Sequence, residues 1–388
     1  MKTDTRIVHA GRHPEQYHGA VNPPVYHAST ITFPSVAAME ASSKTPFDGV
    51  RYGRFGTPTS FALEEAVAAL EGGWRSIATS SGLAAITGAL MAFLKSGDHL
   101  LMADSAYSPT RKLCDGLLAG FGVETTYYDP LIGGGIDALM RPNTKVVFCE
   151  SPGSLTFEVQ DVPAIASVAH RHGAVVLLDN TWGTPLFFQP FAYGVDVSIQ
   201  AATKYIVGHA DAMLGLITTT EPHWLAVKAT VAAMGYSAGA EECFLGLRGL
   251  RTLAARLRQH QETAIKLAQW LHGRPEVATV IHPALPSDPG YALWRRDFTG
   301  ACGLFGVILR PAPKAAVDAL IDGLRYFGLG YSWGGYESLI IPTSGQVIRT
   351  ATRWAPPGPT LRIHAGLEDP EDLMADLDQG FARLRDKS

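Results

Sequence analysis

From Thr59 onward, apolar positions along the chain fall into two alternating rhythms. Leu63, Val67 and Leu70 share one helical face behind polar Thr59 and Ser60, and Gly72-Gly73 ends the run. Further helices are predicted over 82–95, 109–120, 161–172 and 222–234. Short apolar runs lie between and after them, at 98–103, 123–128, 145–150, 174–179, 196–201 and 213–219. Runs such as Val175-Val176-Leu177-Leu178 lack polar alternation, which predicts strands covered on both faces and hence a mainly parallel sheet flanked by helices. A longer helical pattern over 243–272, rich in Arg and Leu, leads out of this region. Beyond it, strand patterns at 277–281, 303–309 and 361–364 alternate with helix patterns at 313–325 and 370–386, the order of a smaller α+β unit. Residues 1–56 carry Pro, Gly, His and Tyr without a sustained period and read as an irregular arm that orders against something else. The expected organisation is an arm over 1–56, a large α/β domain over 57–250 and a small domain over 251–388.

Composition narrows the class. The 388 residues are 46% hydrophobic and 18% charged, ample for two buried cores. The formal charge of −4 provides no basic excess for neutralising phosphates, so the expected partner is a small molecule rather than a nucleic acid. The first residues are charged and His-rich where an export signal needs an apolar stretch, and the run Ala84 to Leu94 is too short and too interrupted to span a membrane. The expected compartment is the cytoplasm. Cys114, Cys149, Cys243 and Cys302 are widely spaced without a C-x-x-C pair, which suggests buried free thiols and no metal site.

Four short stretches could carry chemistry. Val195 to Gln200 reads as a strand followed closely by Lys204, and strand ends in open α/β sheets face the ligand crevice. On position alone such a lysine can equally be inert surface. Upstream, the strand ending at Leu178 is followed by Asp179, a carboxylate at a strand edge that could also simply cap the next segment. Ser80-Ser81-Gly82-Leu83 opens a helix, and free N–H groups at a helix start form an anion site, although Ser-Ser-Gly is also an ordinary N-cap. Asp104-Ser105-Ala106-Tyr107 places an aromatic ring at another strand end, either to stack on a flat ligand or to fill the core. A lysine, an acid for a pyridine nitrogen, a phosphate cradle and a stacking ring are together the parts that pyridoxal-5'-phosphate (PLP) requires.

The order of these elements resembles the Cys/Met-metabolism family of fold-type I PLP enzymes, from Tyr52-Gly53-Arg54 through Ala202-Thr203-Lys204-Tyr205 and Gly208-His209 to Arg362-Ile363-His364-Ala365-Gly366-Leu367-Glu368-Asp369. The resemblance implies a large domain with a mainly parallel seven-stranded sheet and a smaller C-terminal α+β domain. It implies Lys204 as the Schiff-base lysine, Asp179 as the partner of the pyridine nitrogen and Tyr107 as the stacking ring. Gly82, Leu83 and Thr203 are implied as phosphate contacts, and Tyr52 and Arg54 as contacts that reach the phosphate of a neighbouring subunit in a homotetramer. Arg362 is implied as the clamp on the substrate carboxylate, a task suited to its planar fork; the alternative is an ion pair with Glu368 or Asp369.

Within the family, Ser332-Trp333-Gly334-Gly335 and Ser151-Pro152-Gly153-Ser154 resemble the β-eliminating branch, with Ser332 and Trp333 at the substrate and Ser154 where many relatives place asparagine. Ala201 departs from a commoner serine and Leu83 from a frequent methionine, which removes one side-chain contact and leaves a backbone one. The implied reaction is α,β-elimination of cystathionine, a step toward methionine, with Lys204 as the base and Tyr107 or Tyr52 assisting the incoming amine. A γ-acting enzyme on the same scaffold is the nearest rival. A non-catalytic relative could have lost Lys204, Asp179 or Arg362, and a dinucleotide enzyme would need a G-x-G-x-x-G after an early strand, which is absent.

Overall fold

The computed structural model describes residues 1–387. Seven strands form the larger sheet: β1 Arg75–Thr79, β2 His99–Ala103, β3 Glu124–Tyr128, β4 Thr144–Glu150, β5 Val175–Asp179, β6 Val197–Gln200 and β7 Gly215–Thr219. Their spatial order is β1-β7-β6-β5-β4-β2-β3, and only β7 runs against its neighbours. The absence of polar alternation has its cause in packing on both faces. Leu100, Met102, Val146, Phe148 and Leu177 enter one core with the Gly82–Phe93 helix, while Leu101, Ala103, Val147, Val176 and Leu178 enter the other with the Pro58–Glu71 helix. Truncating one of these fully buried leucines to alanine should cost about 2–5 kcal/mol.

The smaller sheet contains β8 Val277–Ile281, β9 Leu304–Leu309, β10 Phe327–Leu329, β11 Ser338–Pro342 and β12 Thr360–His364, in the order β10-β11-β12-β9-β8. All its pairings are antiparallel except β10 with β11. The helix Pro370–Asp386 closes its core with Leu373, Leu377 and Phe381.

Three expectations differ from the structure in an instructive way. The 243–272 pattern divides into helices Ala240–Arg251 and Leu253–His272. At the break the Gly249 carbonyl accepts the Thr252 N–H at 3.1 Å and the Arg256 guanidinium at 2.7 Å. Strands β1 and β11 escaped the reading because they bury polar residues, and β10 because three residues are too few to show a pattern. Ser76 bonds Thr218 across the β1–β7 ladder at 2.7 Å, and Ser338 bonds Glu368 at 2.8 Å, so these hydroxyls behave as core. Within 1–56 the backbone is not wholly irregular. Helices span Thr3–His9, which buries Ile7, and Val36–Lys44, which Ser35 caps. Both are too short to display a period.

Lys204 lies on the connection between β6 and β7, an antiparallel pair. Thr203 and Leu214 close this loop: the Thr203 N–H donates to the Leu214 carbonyl at 3.0 Å, and the Leu214 N–H donates to the Thr203 hydroxyl at 2.8 Å. From below, Gly249 meets the carbonyls of Ile206 and Val207 so closely that an added Cβ would stand 2.3 Å from each oxygen.

Candidate active site

The order β6-β5-β4-β2 makes the C-terminal ends of these strands neighbours, and the residues there form a row. Lys204 follows β6, Asp179 ends β5, Glu150 ends β4 in register with Asp179, and Tyr107 follows β2. Glu150 was missed in the sequence, although it ends an apolar run just as Asp179 does. Its carboxyl accepts the Tyr107 N–H at 2.7 Å and so fixes the backbone that carries the ring. Burial, followed by the neighbouring Asp179 charge, pushes Glu150 well above the usual carboxylate range. Burial also raises Asp179, opposed by the N–H and hydroxyl of Thr181 at 3.0 and 2.5 Å. Both Thr181 donors use Oδ1, which leaves Oδ2 open.

At the start of the Gly82–Phe93 helix, the Ser81 hydroxyl accepts the Ala84 N–H and the Ser81 carbonyl accepts that of Ala85. Ser81 is therefore the N-cap, and the N–H groups of Gly82 and Leu83 remain for an outside acceptor, so the cap and the anion site coexist. Gly82 presses on Ala201, where an added Cβ would lie 2.6 Å from the alanine Cβ. This close approach brings the cradle to the Lys204 loop. Thr203 is less free than its sequence position suggests, because its hydroxyl accepts the Leu214 N–H and leans on the Leu214 carbonyl at 3.2 Å.

Lys204 Nζ donates to the Ser332 hydroxyl at 2.6 Å and lies 5.2 Å from the Trp333 ring centroid. Burial, then the Arg362 charge, lowers this amine to about 8, opposed by Asp179. Arg362 on β12 donates to the Ser332 carbonyl at 2.9 Å. Ser332 thus joins both cationic groups, on a backbone with φ of 74°. Arg362 does not pair with the two acids that follow it in sequence. Glu368 accepts the N–H and hydroxyl of Ser338, and Asp369 caps the last helix through the Glu371 N–H. Among the described residues no carboxylate stands within ion-pair distance of Arg362, so its remaining donors face the cleft.

That cleft, of about 520 Å³, is lined by Tyr107, Ser154, Tyr331, Arg362 and the strap Gly345–Arg349. Buried Asp104 ties the strap down. Its carboxylate accepts the N–H groups of Thr350, Ala351 and Thr352 at 2.9–3.1 Å, and also Arg111 at 2.8 Å. Burial alone would raise Asp104, but the Thr350 and Thr352 N–H groups and Arg111 outweigh it and hold the acid at about 2. Tyr52 and Arg54 stand elsewhere. They line a separate cavity of about 420 Å³ with Glu64, Lys228 and Tyr236, and Arg54 bonds the Ala232 carbonyl. Within one chain the structure does not bring them to Lys204.

The fit to PLP can be judged on three observations: the free oxygen of a buried Asp179, the open N–H groups at Gly82 and Leu83, and a lysine amine held near neutrality by its surroundings. Each matches a group of the cofactor in charge and hydrogen-bonding sense, and a doubly covered parallel sheet carries all three. The class is that of fold-type I PLP-dependent enzymes.

Comparison with known proteins narrows the class further. The family model described as Cys/Met metabolism PLP-dependent enzyme matches residues 4–382, and the chain belongs to that family. It is 44% identical to the cystathionine beta-lyase MetC of Escherichia coli over 99% of both chains, and 44% identical to the cystathionine beta-lyase of Salmonella typhimurium over 98% of both. Among solved structures, a cystathionine gamma synthase from Xanthomonas oryzae pv. oryzae superimposes with a TM-score of 0.91 at 32% identity, covering all of both chains. No helix among the described residues is long and apolar enough to cross a membrane, and the four cysteines are buried and unpaired.

Proposed function

We propose that the chain is a carbon–sulfur lyase that splits L-cystathionine by α,β-elimination, taking up one water and releasing homocysteine, pyruvate and ammonia. The observation that carries this reading is the placement of Lys204 Nζ, hydrogen-bonded to Ser332 beside Trp333, with Arg362 bound to the same serine. The full-length similarity to cystathionine beta-lyases supports it.

PLP supplies, when bound, an aldehyde carbon for the lysine and substrate amines and a ring that withdraws electrons from Cα. Gly82 and Leu83 would hold its phosphate through their open N–H groups with Thr203 beside them, Asp179 would keep its ring nitrogen protonated and Tyr107 would cover the ring. Arg362 grips the substrate α-carboxylate and so fixes Cα. Lys204 removes the Cα proton and returns a proton to the departing sulfur. A lysine near 8 can do both, since neither protonation state is far from neutral pH. Burial, then Glu150 and Asp179, raises the Tyr107 phenol, which therefore enters as a donor.

The γ-acting alternative needs a further proton transfer at Cβ. Incubation with L-cystathionine should yield pyruvate and homocysteine. 2-Oxobutyrate and cysteine would overturn the β reading in favour of a γ-lyase.

The same reading extends to assembly. Residues 1–56 form the arm that meets a neighbouring subunit of a homotetramer, 57–250 the cofactor domain and 251–388 the small domain. Val21, Tyr26, Val36, Met39, Val50 and Tyr52 are exposed apolar residues crowded into this arm, which supports burial in an interface. A cytoplasmic location accords with four unpaired thiols.

A further inference from the structure

Behind Lys204 lies an aromatic layer whose Tyr205, His260 and His364 are buried and take no part in the chemistry above. Tyr205 packs against His260, Trp333 and His364 with centroid separations of 5.2, 5.5 and 5.9 Å. His364 is only 1% exposed, and its two ring nitrogens hold opposite ends of one short loop. The Gly334 N–H donates to Nε2 at 3.1 Å, so Nε2 carries no proton. Nδ1 must then carry it and donates to the Glu337 carbonyl, also at 3.1 Å. The imidazole is a neutral clasp with a fixed tautomer.

What it clasps is the segment that touches the reacting lysine. Gly334 adopts φ of 89° and lies so close to Lys204 that an added Cβ would stand 2.9 Å from the lysine Cα. Trp333 and Ser332 immediately precede it, and both meet Lys204 Nζ. His364 also stands two residues beyond Arg362 on β12, so one side chain connects the lysine segment, the Ser332-Trp333 loop and the carboxylate clamp. The charged or titratable groups facing it are Tyr205, His260, Arg362 and Lys204.

We infer that His364 is a positioning residue for the elimination: by holding Gly334 and Glu337 it keeps Ser332 and Trp333 on Lys204. The inference rests on the reading of Lys204 as the base. If the Gly334 N–H loses its acceptor, Ser332 and Trp333 no longer cover the lysine, water takes the place of the serine hydroxyl at Nζ, and the burial that lowers Lys204 is relieved.

Three substitutions separate this role from simple packing. His364→Gln can still offer an acceptor near the Nε2 position, His364→Asn can at best reach Glu337, and His364→Leu can do neither. On the holoenzyme, kcat/KM for cystathionine should fall by about tenfold to a hundredfold in the Leu and Asn variants, the scale of an unsatisfied buried N–H, with His364→Gln restoring most of it. On the cofactor-free chain, the pH dependence of Lys204 modification by an amine-directed reagent, followed by mass spectrometry, should have its midpoint near 8 in the parent. In the Leu and Asn variants it should move upward by about a unit or more, and in the Gln variant stay near the parent. Unchanged midpoints in the Leu and Asn variants would overturn the proposal, as would a Gln variant that behaves like Leu in both measurements. If the parent released no pyruvate from cystathionine, the assigned reaction would fall, whereas the midpoints would still decide whether His364 positions the lysine.

Discussion

Arg362 donates one of its N–H groups to Ser332 and has no carboxylate partner among the described residues, the state expected of a residue waiting for an anion. Lysine at this position would keep the charge but lose the fork. Arg362→Lys should therefore lower kcat/KM for cystathionine by roughly tenfold to a hundredfold, mostly through KM, the scale of one charge-assisted hydrogen bond. Steady-state kinetics check this. Residues of this kind divide by how the sequence displays them. The placing of Lys204, Asp179 and Tyr107 at one crevice was legible because each ends a strand or stands just past one, and topology alone sends strand ends to the crevice. The Ser332 contact was not, since it joins residues 128 apart through a loop whose positive φ leaves no periodic trace. Glu150 was overlooked despite the same signal as Asp179, because a buried acid whose role is to hold the Tyr107 backbone looks like any acid ending a strand.

Between elements, the strap Gly345–Thr352 shows how the small sheet is joined to the large one. Asp104 at the end of β2 gathers three consecutive N–H groups from it, and Arg349 adds an ion pair with Glu158 at 2.7 Å. Asp104→Ala would leave Arg111 buried without its partner and should cost about 3–5 kcal/mol in urea denaturation. It should also raise KM, because the strap walls the cleft. The folded-state value of about 2 lies below the roughly 3.9 of a free aspartate, so the stabilisation is complete above about pH 4 and is lost as pH falls toward 2. The parent should accordingly lose more stability than Asp104→Ala between pH 5 and 2. The elements that form the strap's two anchorages were unequally visible. Strand β2 was read from its apolar run, whereas β11 was hidden by the buried polar Ser338, and the strap between β11 and β12 has no pattern of its own.

For the whole molecule, Tyr52 and Arg54 are the residues that one chain cannot account for. They stand in a cavity that shares no lining residue with the Arg362 cleft. If they serve a neighbouring subunit, Arg54→Ala and Lys204→Ala variants, each nearly inactive alone, should regain activity when refolded together, since hybrid assemblies contain sites intact in both parts. Activity that stays at the level of the separate variants would exclude the shared site. Sequence patterning alone reached the alternation of a large parallel unit and a small mixed one, but no apolar period describes an arm that buries Ile7 and leaves Val21, Tyr26, Val36 and Met39 exposed in the single chain. The antiparallel return from β6 to β7 has one more consequence, in time rather than space. The loop that carries Lys204 closes on itself through Thr203 and Leu214, 11 residues apart, and short loops cost little entropy to close. The substrate clamp arrives from the far end of the chain. The lysine's surroundings should therefore take shape first during refolding, with the Leu214 amide protected from hydrogen exchange before that of Gly334, and the clamp should arrive at a loop already formed.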